Sequence, residues 1–236
     1  MLLRVFLASL LLMSGSVGAE PRTDDPLEFI NRPLFLVNDV LDRSVLKPVA
    51  KGYDYALPQP AKAGVSNFFS NLLDVNSILN ALLQGRLDRA GLNAGRVAVN
   101  SSIGMFGLFD VASRLGMARE RSDFGQTLGV WGVPEGPYLM LPLLGPRTVR
   151  SGAGAIVDTV ASVTAQMVDD NPTRNLAFFM ELVSARAQLL EADQLISGDR
   201  YIFVRDAYLQ QRRAMLSDGE VHDDFSDYED SWAEEF

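Results

Sequence analysis

The chain reads as an all-α domain with one short extended element, and three observations carry that expectation. Apolar residues recur at three- and four-residue steps through most of residues 25–216. Glycine and proline punctuate those runs where helices would end. One stretch, residues 132–147, departs from the period. Its apolar residues are contiguous and four prolines deny it a helix interior, so a short hairpin or an extended buried loop fits. No internal repeat and no series of alternating strands is present.

Met1–Ala19 has the grammar of a secretory signal. Arg4 supplies a positive start, Val5–Met13 an apolar run too short to span a bilayer, and Val17 and Ala19 small residues before a cleavage point. Residues 20–217 are then expected to form the helical domain.

Asp25-Pro26 reads as an N-cap and a first-turn proline, followed by an apolar face of Ile30, Leu34, Val37, Leu41 and Val45. Pro33 lies inside that run and should kink or divide it, and Pro48 should do so again. Gly52–Pro60 reads as a break. Helices are expected over about 61–73 and 75–83, with Gly85 as the residue just past the second. A further helix covers 86–100 and carries Gly91 and Gly95, whose spacing permits close backbone approach or ordinary helix packing. Short helical pieces fit 109–115 and 125–131, and longer ones residues 149–163, 173–196 and 200–216.

Composition removes several chemistries. No cysteine is present, which takes away disulfides, thiol catalysis, Cys-ligated zinc and iron–sulfur clusters. The one histidine, His222, lies in an acidic tail, leaving little for His-ligated metal or a Ser–His–Asp set. The net charge of −9 argues against general nucleic-acid binding. Nucleotide-binding and hydrolase motifs are absent, so no catalytic residue, cofactor or metal is expected. Asp123, Glu135 and Asp158 are carboxylates that the sequence gives no reason to bring together.

The charge is unevenly placed. Residues 218–236 hold nine acidic residues and no lysine or arginine, whereas residues 20–217 are almost neutral. A disordered acidic tail is expected there. Its interleaved Phe225, Tyr228, Trp232 and Phe236 also suit docking on a basic, partly apolar partner, with Asp223, Asp224, Asp227 and Trp232 as candidate contacts. Asn67 and Asn71, and again Asn76 and Asn80, stand four apart, so each pair can line one side of a helix. They can face a cavity, or they can serve as caps and turn residues.

Six collinear segments carry a resemblance: DPLEFINR (25–32), VLKPVAKGY (45–53), GVSNFFSNL (64–72), LLQGR (82–86), GRVAVNSSIGMFGLFDVAS (95–113) and DFGQTLGVWGVPEGPYLMLPLLGPRTVR (123–150). Over roughly residues 24–200 the chain resembles the MlaA, or VacJ, family of outer-membrane phospholipid-transport proteins. The resemblance implies a helical disc- or ring-like body in the outer membrane, facing the periplasm. It implies removal of misplaced phospholipid from the outer leaflet and its transfer to a soluble periplasmic carrier such as MlaC, with trimeric porins such as OmpC and OmpF as further partners. Two departures stand out. Family members typically carry an anchoring cysteine, which this sequence lacks, so membrane retention without a lipid anchor is expected. Pro33 also stands inside the first helical motif, where a helix former is expected.

With that implication, Asn67, Phe68, Phe69, Asn71, Asn100, Trp131, Tyr138, Leu141 and Leu144 are the candidate lipid path or gate. Residues 132–146 are either part of that gate, hinged by glycines, or a loop that plugs the core. A conduit needs no nucleophile, and helices with internally satisfied backbone can lie in a leaflet without spanning it. Two other classes compete: an envelope adaptor that holds porins without moving lipid, and, more weakly, a phospholipid-cleaving enzyme.

Overall fold

Asp25 fixes the entrance to the fold. Its carboxylate accepts the Leu27 N–H at 3.1 Å and its carbonyl accepts the Glu28 N–H at 3.2 Å. Helix α1 (Glu28–Leu41) therefore starts after a turn, two residues beyond Pro26. The computed structural model describes residues 25–163, 171–194, 196 and 198–216. The expected signal segment and the acidic tail, with Asp223, Asp224, Asp227 and Trp232, lie outside the described residues.

Pro33 does not divide α1, which runs unbroken from Glu28 to Leu41. Its missing N–H would have met the carbonyl of Phe29, which sits on an exposed residue in the first turn, where the loss is cheap. The helix is interrupted further on, by a π-helical turn at Asp42–Leu46. Pro48 then occupies the first turn of α2 (Lys47–Ala56), where no donor is required, so it starts a helix rather than breaking one. The break expected from Gly52 onward shrinks to Leu57 and Pro58, with Leu57 extended as a residue before proline must be.

Helix α3 (Gln59–Leu83) is continuous across the junction expected at residues 73–75. It ends with Gly85 at φ +74, the left-handed position that glycine takes without strain. Helix α4 (Leu87–Ser102) returns antiparallel, and the Asn71 amide donates to Ser101 Oγ at 3.0 Å where the two run side by side. Gly91 and Gly95 make no close helix crossing: nothing lies within 4 Å of a Cβ at Gly91, and only the Met117 side chain approaches one at Gly95.

A loop with Met105 and Phe106 at positive φ leads to the short α5 (Val111–Arg114), capped by Asp110. Helix α6 (Phe124–Val130) begins with a capping box between Asp123 and Gln126. The aperiodic stretch holds the expected hairpin: β1 (Tyr138–Leu141) pairs antiparallel with β2 (Gly145–Thr148), Tyr138 opposite Thr148. Helix α7 (Val149–Ala161) starts with a second capping box, Thr148 with Ser151. The close crossing that glycines permit is here, since a Cβ on Gly154 would stand 2.3 Å from the backbone nitrogen of Gly125. Helix α8 (Asn171–Gln188), a 3₁₀ turn at Ala192–Gln194 and α9 (Arg200–Leu216) complete the described chain.

The apolar core is small and aromatic. Phe35, Tyr138, Met140 and Tyr201 are buried together, joining α1, the hairpin and α9. Tyr201 meets Phe35 and Tyr138 edge-to-face, with centroids 5.6 and 6.3 Å apart. Buried Asn31 ties this core to the sheet, donating to the Tyr138 carbonyl and accepting from the Met140 N–H, each at 2.9 Å.

Candidate functional site

Helix α3 is amphipathic with its polar face turned inward. Ser70, Asn71, Asp74, Ser77 and Asn80 recur at one-turn spacing and are buried, while Leu79, Leu82 and Leu83 are about half exposed. Helix α4 repeats the inversion by burying Asn93, Arg96 and Asn100. Between them sits a charge cluster whose centre, Arg96 with Asp74, is shut off from water. Arg96 lies 3.5 Å from Asp74 and 3.1 Å from Asp110, and Arg119 lies 3.2 Å from Asp74. Burial pushes the Asp110 carboxyl upward, but hydrogen bonds from the Ser113 hydroxyl and N–H and the Asn100 amide, with the Arg96 charge, hold it well below the usual carboxylate range.

The outside is correspondingly apolar. Phe29, Leu36 and Val40 on α1, Ile103 and Phe106 in the loop after α4, Leu143 at the hairpin tip, and Ile156 and Val160 on α7 are each more than half exposed. Among the described residues, no helix is long and apolar enough to cross a membrane. An apolar exterior on short helices suits burial within one leaflet or at its interface.

An open cavity of about 840 Å³ lies between α3, α7, α8 and α9. Phe69, Leu72, Leu73, Phe178 and Met215 give it apolar walls. Six charged side chains line it, and three of them are satisfied within the fold. Arg212 pairs with Asp123, and Asp158 accepts the Phe124 N–H and the Asn80 amide, both at 2.9 Å. Burial raises the Asp158 carboxyl above its ordinary value despite those two donors. Asp123 and Asp158 are thus brought to one cavity, while Glu135 lies beside Arg150 at 3.8 Å. No cluster able to hold a metal ion occurs among the described residues.

Of the candidate path residues, Phe69 lines this cavity. Phe68 is exposed beside it, edge-on to Phe69 at 5.5 Å. Asn67 donates to the Leu108 carbonyl at 3.1 Å, and Asn100 bonds Asp110 at 3.0 Å and accepts the Ala112 N–H at 2.9 Å. Asn71 on Ser101 ties α3 to α4, and Asn67 and Asn100 tie each of them to the loop that follows. Asn76 lines the cavity and donates to the Asp158 carbonyl at 3.3 Å. Trp131 is exposed and its indole donates to the Leu83 carbonyl at 3.1 Å. Tyr138 is in the aromatic core, Leu141 is half-buried at the end of β1, and Leu144 is exposed at the hairpin tip. Arg147, Arg174, Glu181 and Arg212 were not among the candidates, although the helical spacing of Arg174, Phe178 and Glu181 marks a shared face.

The chain matches the family model of the MlaA lipoprotein over residues 23–215. It is 36% identical over 220 residues to the intermembrane phospholipid transport system lipoprotein MlaA of Escherichia coli (strain K12), covering 90% of this chain and 87% of that one. The protein of the same name from Haemophilus influenzae is 32% identical over 203 residues, covering 84% and 81%. A solved structure concerned with the maintenance of bacterial outer membrane lipid asymmetry superposes with a TM-score of 0.72 at 39% identity, over 81% of this chain and 98% of that chain. The chain belongs to the MlaA family.

Proposed function

We propose that this protein takes misplaced phospholipid from the outer leaflet of the outer membrane and hands it to a soluble periplasmic carrier, so maintaining lipid asymmetry. The observation that carries the reading is the inverted polarity: a polar, ion-paired interior and an apolar exterior around an open, mixed cavity. A phospholipid has both demands in one molecule, since its head group needs polar partners while its chains gain by leaving water. The relatives named as a phospholipid transport system support the same reading.

The body sits in the membrane through its apolar exterior. No residue of the sequence is a cysteine, so no thiol in it can carry a lipid. Residues 1–19 direct export and are removed. Porin trimers hold the body in place, and the acidic tail, residues 218–236, faces the periplasm and recruits the carrier. Nine carboxylates steer a basic partner mainly through the association rate, and this steering weakens with salt. Residues 132–146 gate the lipid path. The protein moves lipid without cleaving it.

Purified protein in detergent should carry phospholipid detectable by mass spectrometry. Deleting its gene should let phospholipid accumulate in the outer leaflet, as read by an acyltransferase or phospholipase probe. Lipid-free protein that still binds porin would favour an adaptor, and unchanged outer-leaflet phospholipid would overturn the transport reading.

A further inference from the structure

Among the described residues, three charged side chains in the cavity, Arg147, Arg174 and Glu181, make no ion pair. Arg147, on β2, donates to the carbonyl of Pro146 at 3.1 Å. Arg174, in the first turn of α8, donates to the side chain of Asn171. Among the described residues neither guanidinium meets a carboxylate. Glu181 makes no ion pair or hydrogen bond there either. The charge of Arg121 reaches it, but burial still raises its carboxyl above the ordinary value. Arg212, Asp123 and Asp158, on the same walls, are all satisfied internally.

The three lie in a definite arrangement. Arg174 and Glu181 are seven residues apart on one helix, so they share a face and are separated by roughly 10 Å of rise. Phe178 lies between them, and all three line the cavity. Arg147 comes from β2 and Phe69, Leu72 and Leu73 from α3. Among the described residues the cavity therefore offers two cations and one acid outside any ion pair, with an apolar floor between and beside them. A buried or half-buried charge without a partner is costly, and a ligand of complementary charge would recover that cost.

We propose that this cavity is a head-group site for amine-bearing phospholipid, in which Arg147 and Arg174 hold the phosphodiester and Glu181 holds the ammonium. Guanidinium is the group suited to phosphate, because its fork donates two parallel hydrogen bonds. The ammonium needs an acceptor a short distance away, which Glu181 supplies, and the acyl chains leave along Phe69, Leu72, Leu73 and Met215. This assignment rests on the transport reading and adds a preference to it: a phosphoethanolamine head group satisfies all three side chains, whereas a phosphoglycerol head group leaves Glu181 without its cation.

The test loads full-length protein in detergent from vesicles of equal phosphatidylethanolamine and phosphatidylglycerol, then measures the two bound lipids by mass spectrometry. Wild type should enrich the ethanolamine lipid roughly tenfold, the size of one charge-assisted hydrogen bond. Glu181→Gln should bring the ratio close to that of the vesicles, and Glu181→Ala should do the same. Arg147→Gln combined with Arg174→Gln should cut the total load. Circular dichroism and melting confirm that each variant is folded. A wild-type ratio equal to that of the vesicles, or a ratio unmoved by both Glu181 variants, overturns the ammonium assignment. A full load in the double arginine variant overturns the phosphate assignment. Wild type that binds neither lipid removes the transport reading itself.

Discussion

Arg96 and Asp74 meet where no water reaches either: their side chains are 0% and 1% exposed, and Arg96 Nε stands 3.5 Å from Asp74 Oδ2. Arg96 also bridges to Asp110 and donates to Ser113 Oγ at 3.1 Å and to the Met117 carbonyl. A single guanidinium thus joins α3, α4, the cap of α5 and the segment beyond it. Replacing it with methionine leaves two acids with only Arg119 to offset them. Arg96→Met should cost about 3–5 kcal/mol in a denaturant titration. Adding Asp74→Asn should restore part of the loss, because the two sites are coupled. A loss under about 1 kcal/mol would show that the cluster is not what holds this interior together.

Asp110 of this cluster, with two carboxylates elsewhere, sets an acid limit. Asp110 is held below its ordinary value, as are Asp193 by Arg186 and Lys47 and Asp199 by Arg32, against the opposing effect of burial. A carboxyl whose folded pKa is depressed adds stability that is present above its unfolded value, near about 3.9, and is lost as pH falls toward the folded one. Denaturation midpoints should therefore hold steady down to about pH 5 and fall below about pH 4. Asp110→Asn should be less stable at neutral pH and show a shallower acid decline. A decline as steep as wild type would assign the acid limit to other groups.

Glycines at equal sequence prominence differ sharply in consequence. A Cβ at Gly154 would lie 2.3 Å from Gly125 N and 2.7 Å from its Cα. Backbone cannot yield as a side chain can, so Gly154→Ala should destabilise by about 3 kcal/mol or more. Gly91 is exposed inside α4 with nothing within 4 Å of a Cβ. Gly91→Ala should stabilise by about 0.5–1 kcal/mol through helix propensity. Thermal melts of the two variants moving in the same direction would contradict the crossing geometry.

Membrane retention through the folded surface is tested on α1. Leu36 and Val40 are 57% and 61% exposed on the same face as Phe29. Leu36→Asp with Val40→Asp should leave stability within about 1 kcal/mol, since each exposed substitution typically shifts it by about 0.5. The variant should instead move from the membrane pellet into a high-salt or carbonate wash. A variant retained like wild type would place the attachment elsewhere.

The hairpin separates packing from gating. Tyr138 is buried in the aromatic core, whereas Leu144 is 59% exposed at the tip. Tyr138→Ala should cost about 3–5 kcal/mol, the range for emptying an aromatic core site. Leu144→Asp should melt like wild type while slowing phospholipid transfer to a carrier. Unaltered transfer by the folded Leu144→Asp protein would leave residues 132–146 as a structural brace.

The helical class and the hairpin were legible because they depend on local rules. The period of three to four residues appears wherever a helix buries one face, and Pro134, Pro137, Pro142 and Pro146 exclude helix where β1 and β2 form. Gly85 past α3 followed from the left-handed conformation that glycine takes there. Pro33 misled because the cost of proline depends on where the freed carbonyl sits, and that of Phe29 lies in an exposed first turn. Residues 73–75 misled because Asp74, polar and strongly charged, is a buried member of the helix and not its end.

Amphipathic period alone thus determined that α3 has a polar and an apolar face, and composition that none of the 236 residues is a cysteine. Only tertiary structure decided which face turns inward. A helical wheel is the same for either orientation, and here the polar stripe is buried where Arg96 of α4 pairs with Asp74 of α3 and with Asp110, to which Asn100 also donates. The cavity was likewise beyond one-dimensional reading. Arg147, Arg174 and Glu181, which make no ion pair among the described residues, differ from the paired Arg212 and Asp123 only in what stands beside them, and that follows from how β2, α6, α8 and α9 pack.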